Sequence, residues 1–421
     1  MNIIMRTIGT LFLFAIFMTM LAILLTNLSI GAETSSNAAI TSPGYPIPET
    51  PTAELATPSL VPIITEIPFP TSTPFPTVYP TSVSKPEGES VIYAEFRPEE
   101  IHIWAVSVDD TTRRSILKTI KKSTRGGYRF SLSPDKTKLA YTMFSEESNP
   151  NDPFQAELWI ANLSNESLSK VIEFVDIGRY RSYPVWSPNG EHLSVMKRQT
   201  FAEYYVDIIS VIHVKTGKET IAIESKISNM QEAAKQSVYI LGWDTDNNNL
   251  YYQKGISEDV NLWSVDISTL KTREVNKITD AGRPRCYDLS FDKKTLLCSV
   301  DVVFSEQEPK RSIHLVPTSG ESITIVDAEI TSDPIWAQNA LKFSFASGNK
   351  VITINEFSKQ ETYNISESSM IEPIAWSTSG EWLALYRSPE TKGNLIIVNQ
   401  STAKELNISS AEGSEFIGWM P

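Results

Sequence analysis

The stretch Tyr183 to Leu193, YPVWSPNGEHL, decides the fold, because its pattern returns along the chain at nearly regular distances. Ser187-Pro188-Asn189-Gly190 reads as a tight turn: Pro sets φ at the second position, and Asn and Gly tolerate the conformations that follow. The turn joins a strand ending at Trp186 to one opening at Leu193, seven residues on. The same interval separates Leu132 from Leu139, Trp243 from Leu250, Leu289 from Leu296, Trp336 from Phe343 and Trp376 from Leu383. A last, truncated copy begins in EFIGWMP, Glu415 to Pro421.

From copy to copy the first apolar anchor advances by 40 to 57 positions, the range of a propeller blade or a solenoid unit. Each unit then continues in one order: a turn-flanked strand pair, a variable loop, an apolar third strand and a fourth that alternates. Strands apolar on both faces fit blades stacked radially, each covered by two neighbours. The first unit supplies VIYAEF, IHIWAVSV and RSILKT, which match second, third and fourth strands, with no first strand before them. That missing strand is at the other end of the chain. A ring closed by lending the C-terminal strand to the N-terminal blade needs this offset, and closure removes an exposed sheet edge. The expected fold is therefore all-β, a seven-bladed propeller over residues 89–421.

Upstream, residues 8–25 form an apolar run of 18 with Arg6 before it and no further charge until Glu33. About 18 apolar residues suffice to span a bilayer, which favours an uncleaved anchor in 1–32 over a cleaved signal peptide. Ser29 and Gly31 keep cleavage, and hence secretion, open. With Arg6 held inside, the rest of the chain lies outside the cytoplasm. Residues 33–88 read as a Pro/Thr/Ser-rich linker: 12 of the 46 residues from Thr41 to Pro86 are Pro, and such a segment prefers extended conformations without a core.

Repeats of the form P-x-W-S-P-D/N-G-x-x-L/I, followed by third strands like ELWIANL, resemble the TolB-like, WD-repeat-like propellers of bacterial envelope proteins and of prolyl oligopeptidases. The resemblance runs from Val91 to Pro421 and implies a binding platform, here for a protein or peptide. It carries no catalytic residue across. No G-x-S-x-G elbow, H-E-x-x-H, C-x-x-C, Walker or dinucleotide motif occurs, so neither an enzyme nor a cofactor is expected. A net charge of −13 argues against nucleic acid as a partner. A monomer is expected.

Candidate site residues lie in loops. The loops from a fourth strand to the next first strand, and from second to third strands, emerge on one face beside the channel. The first kind carries Arg125 and Arg129, Arg179 and Arg181, and Arg283 and Arg285, while Asp333 and Glu372 take corresponding places in units six and seven. Arginine suits forked contacts with carboxylates, so a mouth basic on one side and acidic on the other would suit a polar peptide or a protein terminus. The rival expectation is a carbohydrate-binding or carbohydrate-active surface protein, with Phe154, Phe201 and Tyr204 as stacking platform. The longer second-to-third loops are expected at Ser145–Gln155, Arg198–Tyr205 and Ser305–Lys310.

Asp244-Thr-Asp-Asn-Asn248 resembles the start of a calcium loop, but Asn249 stands where such a loop needs Gly, so it reads as a hairpin turn. His102, His213 and His314 fall together in third strands where Trp159 and Trp263 stand in other units, and read as packing rather than metal ligands. Cys286 and Cys298, the only cysteines, flank the turn of unit five. As non-hydrogen-bonded partners they could form a disulfide; a one-residue slip would put them on opposite faces.

Overall fold

The computed structural model describes residues 88–421 except 147–154, 166, 176–182, 256–259, 279–281, 303–309, 322, 328, 356–358, 366–370, 388–393 and 410–412. The apolar run 8–25, the Pro-rich linker, Phe154, Arg179, Arg181 and most of the loops at 145–155 and 305–310 lie outside the described residues, as does the side chain of Arg283. No described helix is long and apolar enough to cross a membrane. The described chain forms seven antiparallel four-stranded sheets, a seven-bladed propeller, with one helix among the described residues, Met230–Gln236, between blades three and four.

In blades two to seven the four strands follow one another in sequence from the channel outward. Blade one differs in the expected way. Its inner strand is Ser414–Met420, paired with Ser90–Phe96 through Ser90↔Met420, Val91↔Trp419 and Ala94↔Glu415. Trp419 is 1% exposed and packs among Val91, Tyr93, Trp382 and Tyr386, so the closing strand also fills the seam between blades seven and one. Glu89 adds a second fastening there. Its carboxylate accepts from Thr378 Oγ1 (2.8 Å), Ser379 Oγ (2.8 Å) and Ser379 N (3.1 Å) on the hairpin of blade seven.

The repeated turn owes its conservation of form to side-chain chemistry. Ser133 Oγ donates to Asp135 Oδ1 (2.6 Å) while accepting from Lys138 N (2.9 Å), which ties the first and last residues of the turn. Ser187 with Asn189 and His192, Ser290 with Asp292 and Thr295, and Ser377 with Ser379 and Trp382 repeat the arrangement. The fourth turn residue is left-handed, at φ 60° for Lys136, 71° for Gly190, 62° for Asn247 and 58° for Lys293. These are positions at which Gly or Asn costs least. Burial works against the Asp135 carboxylate, but hydrogen bonds from Ser133 and Thr137 hold its pKa down to about 2. In blade four Asp244 plays the same part, accepting from Asn248 N (2.9 Å) and Asn249 Nδ2 (2.7 Å), and this is a hairpin turn.

Blades two, three and four are pinned through two of the anchor tryptophans as well as by packing. Trp186 Nε1 donates to Ser131 O (3.1 Å) in blade two, and Trp243 Nε1 donates to Val185 O (3.2 Å) in blade three. Each buried indole thereby satisfies a group that would be costly to bury alone.

Two sequence expectations are corrected by the ladders. His314 does share a register position with Trp104, Trp159 and Trp263, but His102 lies two residues before that position and His213 three after its blade-three equivalent, Ser210. The height of a residue in a third strand is set by its pairing with the second strand, which the repeat pattern alone does not give. The segment Arg198–Tyr205 is mostly hairpin: Arg198 pairs with Asp207, and only residues 201–204 turn. Arg198 Nε donates to Asp207 Oδ1 (2.7 Å) inside the blade, where Asp207 is fully buried.

Two predictions follow from this architecture. Removing Glu415–Pro421, or changing Trp419 to Ala, should lower stability by several kcal/mol, about 3–5 for the single substitution; a melting temperature unchanged in both would contradict the closure. The second concerns His192, whose ring lies 5.1 Å from that of His213 and 6.1 Å from Trp243. Burial, reinforced by His213, holds its pKa below the usual histidine value. The unfolded chain then takes up this proton first, so the contribution is complete above about pH 6.5 and declines as pH falls below it. Melting temperature should drop between pH 7 and 5 in the native chain and drop less in His192→Phe.

Candidate functional site at the channel mouth

Seven side chains stand at one level of the inner strands, and the ladders identify them. Glu415, Arg129, Tyr239, Arg285 and Glu372 each pair with the residue three places after the second-strand anchor of their own blade. Tyr183 and Asp333 occupy the same level just before the two-residue inner strands Val185–Trp186 and Ile335–Trp336. In blades one, four, five and seven a bulge adds one residue between this level and the anchor: Ile417, Leu241, Tyr287 and Ile374. A bulge re-aims the strand end, and here it sets which side chain faces the axis.

Tyr183, from blade three, shares one cavity of about 280 Å³ with Asp333, Glu372, Tyr386 and Glu415. Those residues belong to blades six, seven and one, so the cavity bridges the axis and is the mouth of the channel. Tyr183 is 42% exposed, yet it stands within the channel walls. Burial there, together with the Glu415 and Glu372 carboxylates, raises its phenol pKa above the usual value, and Arg129 opposes them. Tyr386 is raised further by burial; its hydroxyl accepts from Phe416 N (2.8 Å), and Glu415, Tyr183 and Glu372 add to the shift. Mutual influence among these groups places them in one electrostatic unit.

The arginines divide. Arg129 has its guanidinium 5.5 Å from the Tyr183 ring centre while Nη1 donates to Tyr128 O (2.8 Å), which sets it on the rim beside the acidic arc. Arg285 is half exposed and lies 4.0 Å from Asp301, a carboxylate already bound by Arg311 Nε at 2.6 Å. Arg125 lies in the wall of blade two, with Nη1 donating to Ser145 O (2.8 Å) and its guanidinium 5.6 Å from the Phe144 ring. Phe201 and Tyr204 stack on each other with centres 4.6 Å apart, and Lys226 Nζ sits 4.0 Å from the Tyr204 ring.

Blade five is braced toward the mouth. Cys286 pairs directly with Cys298, both fully buried, and the two are joined in a disulfide. The next residue, Tyr287, sends its hydroxyl across the seam to donate to Asp333 Oδ1 (2.5 Å), with Ser299 Oγ at 2.7 Å. No group of His, Cys, Asp and Glu suited to a metal ion occurs among the described residues.

Sequence reading found Arg129, Arg285, Asp333 and Glu372 for this level but missed Tyr183, Tyr287, Tyr386 and Glu415 as site residues. For Tyr183 the signal was present, three residues before Trp186. For Glu415 it was hidden by the truncated repeat, and Tyr386 reaches the mouth from a second strand, where no repeat register marks it.

No family model matches the chain, and no curated relative matches it. Among solved structures it is similar to a prolyl endopeptidase (TM-score 0.54, 12% identity, covering 80% of this chain and 50% of that one). It is also similar to the periplasmic gluconolactonase PpgL of Pseudomonas aeruginosa (TM-score 0.50, 11% identity, 79% and 99%). TolB from Acinetobacter baumannii is a further likeness (TM-score 0.41, 13% identity, 77% and 80%). The chain shares the β-propeller fold of these solved structures. At 11–13% identity the likeness speaks for fold alone.

The blade five to six brace is testable. Tyr287→Phe removes a hydroxyl that serves a carboxylate and should cost about 1.5–3 kcal/mol by chemical denaturation. Asp333→Asn should cost less on top of it than alone, because the two residues share one bond.

Proposed function

We propose that this chain is a binding platform, held outside the cytoplasm by its N-terminal apolar segment, that takes a mixed-charge segment of a protein or peptide into the channel mouth. The observation that carries the reading is the cavity in which Tyr183 meets Asp333, Glu372 and Glu415 across the axis. A partner's cationic group would meet the carboxylates and the Tyr183 ring, and its carboxylates would meet Arg129 and Arg285 on the rim. Arg179, Arg181 and Arg283 extend the basic side in this proposal. The extracytoplasmic location is supported by the apolar run 8–25 and by the Cys286–Cys298 disulfide, since such bonds persist mainly in oxidising compartments. A monomeric platform without a catalytic role is part of the same proposal. An aromatic carbohydrate platform is favoured less, because the stacking of Phe201 on Tyr204 covers a face of each ring.

Peptide arrays of acidic, basic and mixed-charge sequences test the reading directly. Mixed-charge peptides should bind best and weaken as salt rises. Tyr183→Ala, and separately Arg129→Ala with Arg285→Ala, should each weaken the best binder at least about tenfold, or about 1.4 kcal/mol. Binding that is indifferent to both sets of changes would place the site elsewhere.

A further inference from the structure

We propose that the groove between blades two and three, on the hairpin face opposite the mouth, is a subsite for an anionic saccharide. The groove has a volume of about 460 Å³, larger than the mouth cavity and within the range that holds small ligands. Its lining is rich in donors: Lys138, Asn162, Ser167, Ser169, His213 and Lys215.

The hydrogen bonds around it leave those donors turned outward. Asn162 Oδ1 already accepts from Ser164 N (2.8 Å) and Ser164 Oγ (2.7 Å), so its amide hydrogens remain for a ligand. His213 Nδ1 accepts from Thr216 N (3.3 Å), which leaves the proton of the neutral ring on Nε2. Lys138 Nζ is 3.7 Å from Asp135 Oδ2, a loose contact, and Asp135 has the hydrogen bonds of its own turn. The one carboxylate of the lining, Glu191, accepts from Asn189 Nδ2 at 2.9 Å within its hairpin, and its charge is outnumbered by Lys138 and Lys215.

At three other junctions a fourth-strand side chain crosses to the next blade's turn, whereas blades two, three and five carry Ile172, Ile223 and Val326 at that register position. Lys118 Nζ donates to Asn165 O (3.0 Å), Asn276 Nδ2 donates to Glu321 O (3.1 Å), and Tyr363 Oη reaches Ala403 O (3.4 Å). In blade two the register position of Lys118 and Asn276 holds Ile172, which has no polar atom to extend. The groove stays open, walled by Ile160 and Val214 with donors around its edge. Hydroxyl-rich donors beside two ammonium groups suit a sugar bearing a carboxylate or phosphate. Apolar walls suit the C–H faces of its ring.

Glucuronate, glucose and inorganic phosphate, titrated into the full chain by calorimetry, test this. Glucuronate should bind about tenfold more tightly than either, and Lys138→Ala with Lys215→Ala should weaken it about tenfold, or about 1.4 kcal/mol. Lys215 is exposed on a turn, so Lys215→Glu alone should abolish binding with an unchanged melting temperature. Tyr183→Ala should leave glucuronate binding intact, which separates this groove from the mouth. No heat with glucuronate, affinity unmoved by the lysine changes, or phosphate binding as tightly as glucuronate would each overturn the proposal.

Discussion

The pairing of Ser414–Met420 with Ser90–Phe96 is the constraint on which the rest depends. A propeller blade is apolar on both faces and cannot bury itself, so each requires a neighbour on either side. Without the C-terminal strand, blade one would lack its inner edge, and blade seven would lose the face that Trp419 covers. Local contacts within blades can form early because their strands are sequential, whereas this pairing joins the two ends of the described chain. Loop-closure entropy makes such a contact late and cooperative. The Glu89 contacts with Thr378 and Ser379 act at the same seam, so the entry of the chain and its end are fastened together.

Much of this was legible in the sequence because one side of each blade is written in local chemistry. Ser, Asp or Asn and a left-handed residue at fixed offsets are needed for the turn whose hydrogen bonds run from Ser133 to Lys138 and from Ser187 to His192. A local requirement leaves a local record. The blade count and the circular offset followed from that record alone, since EFIGWMP and the strandless first unit fit no open arrangement as well. By contrast, the height of a histidine in a third strand depends on cross-strand register. His102 and His213 were therefore set level with His314, where the ladders separate them.

The mouth was only half legible for a related reason. Four inner strands carry a bulge and three do not, and nothing in the spacing of anchors announces the extra residue. One residue decides whether a side chain faces the axis or the neighbouring blade. Glu372 and Glu415 lie four residues before their anchors, but Asp333, Tyr183 and Arg129 lie three before theirs, and all five reach one level. Tyr386 enters from a second strand through its length and its bond from Phe416, a contact that only the folded ring creates.

A division of labour between the two faces follows from these facts. On the hairpin face, the Ser and Asp or Asn side chains of the first-to-second-strand turns are matched inside the turn, as with Asp135, whose hydrogen bonds hold its pKa down to about 2, while Lys138, Asn162 and Lys215 stand outside that matching at the groove between blades two and three. Substitution of a turn's own Ser or Asp disturbs the turn and through it a blade. At the mouth the side chains extend from strand ends that are already held by their ladders, so Glu, Arg, Tyr and Asp can alternate around the axis without altering the backbone. Like charges gathered at Asp333, Glu372 and Glu415 repel one another, which favours an occupant able to screen them. Blade five shows how the two demands are reconciled. Its disulfide and the Tyr287 bond to Asp333 stiffen the strand that carries Arg285, so a charge on the rim is positioned by packing beneath it. In the proposed reading, preorganisation of this kind would lower the ordering cost that a bound segment must overcome.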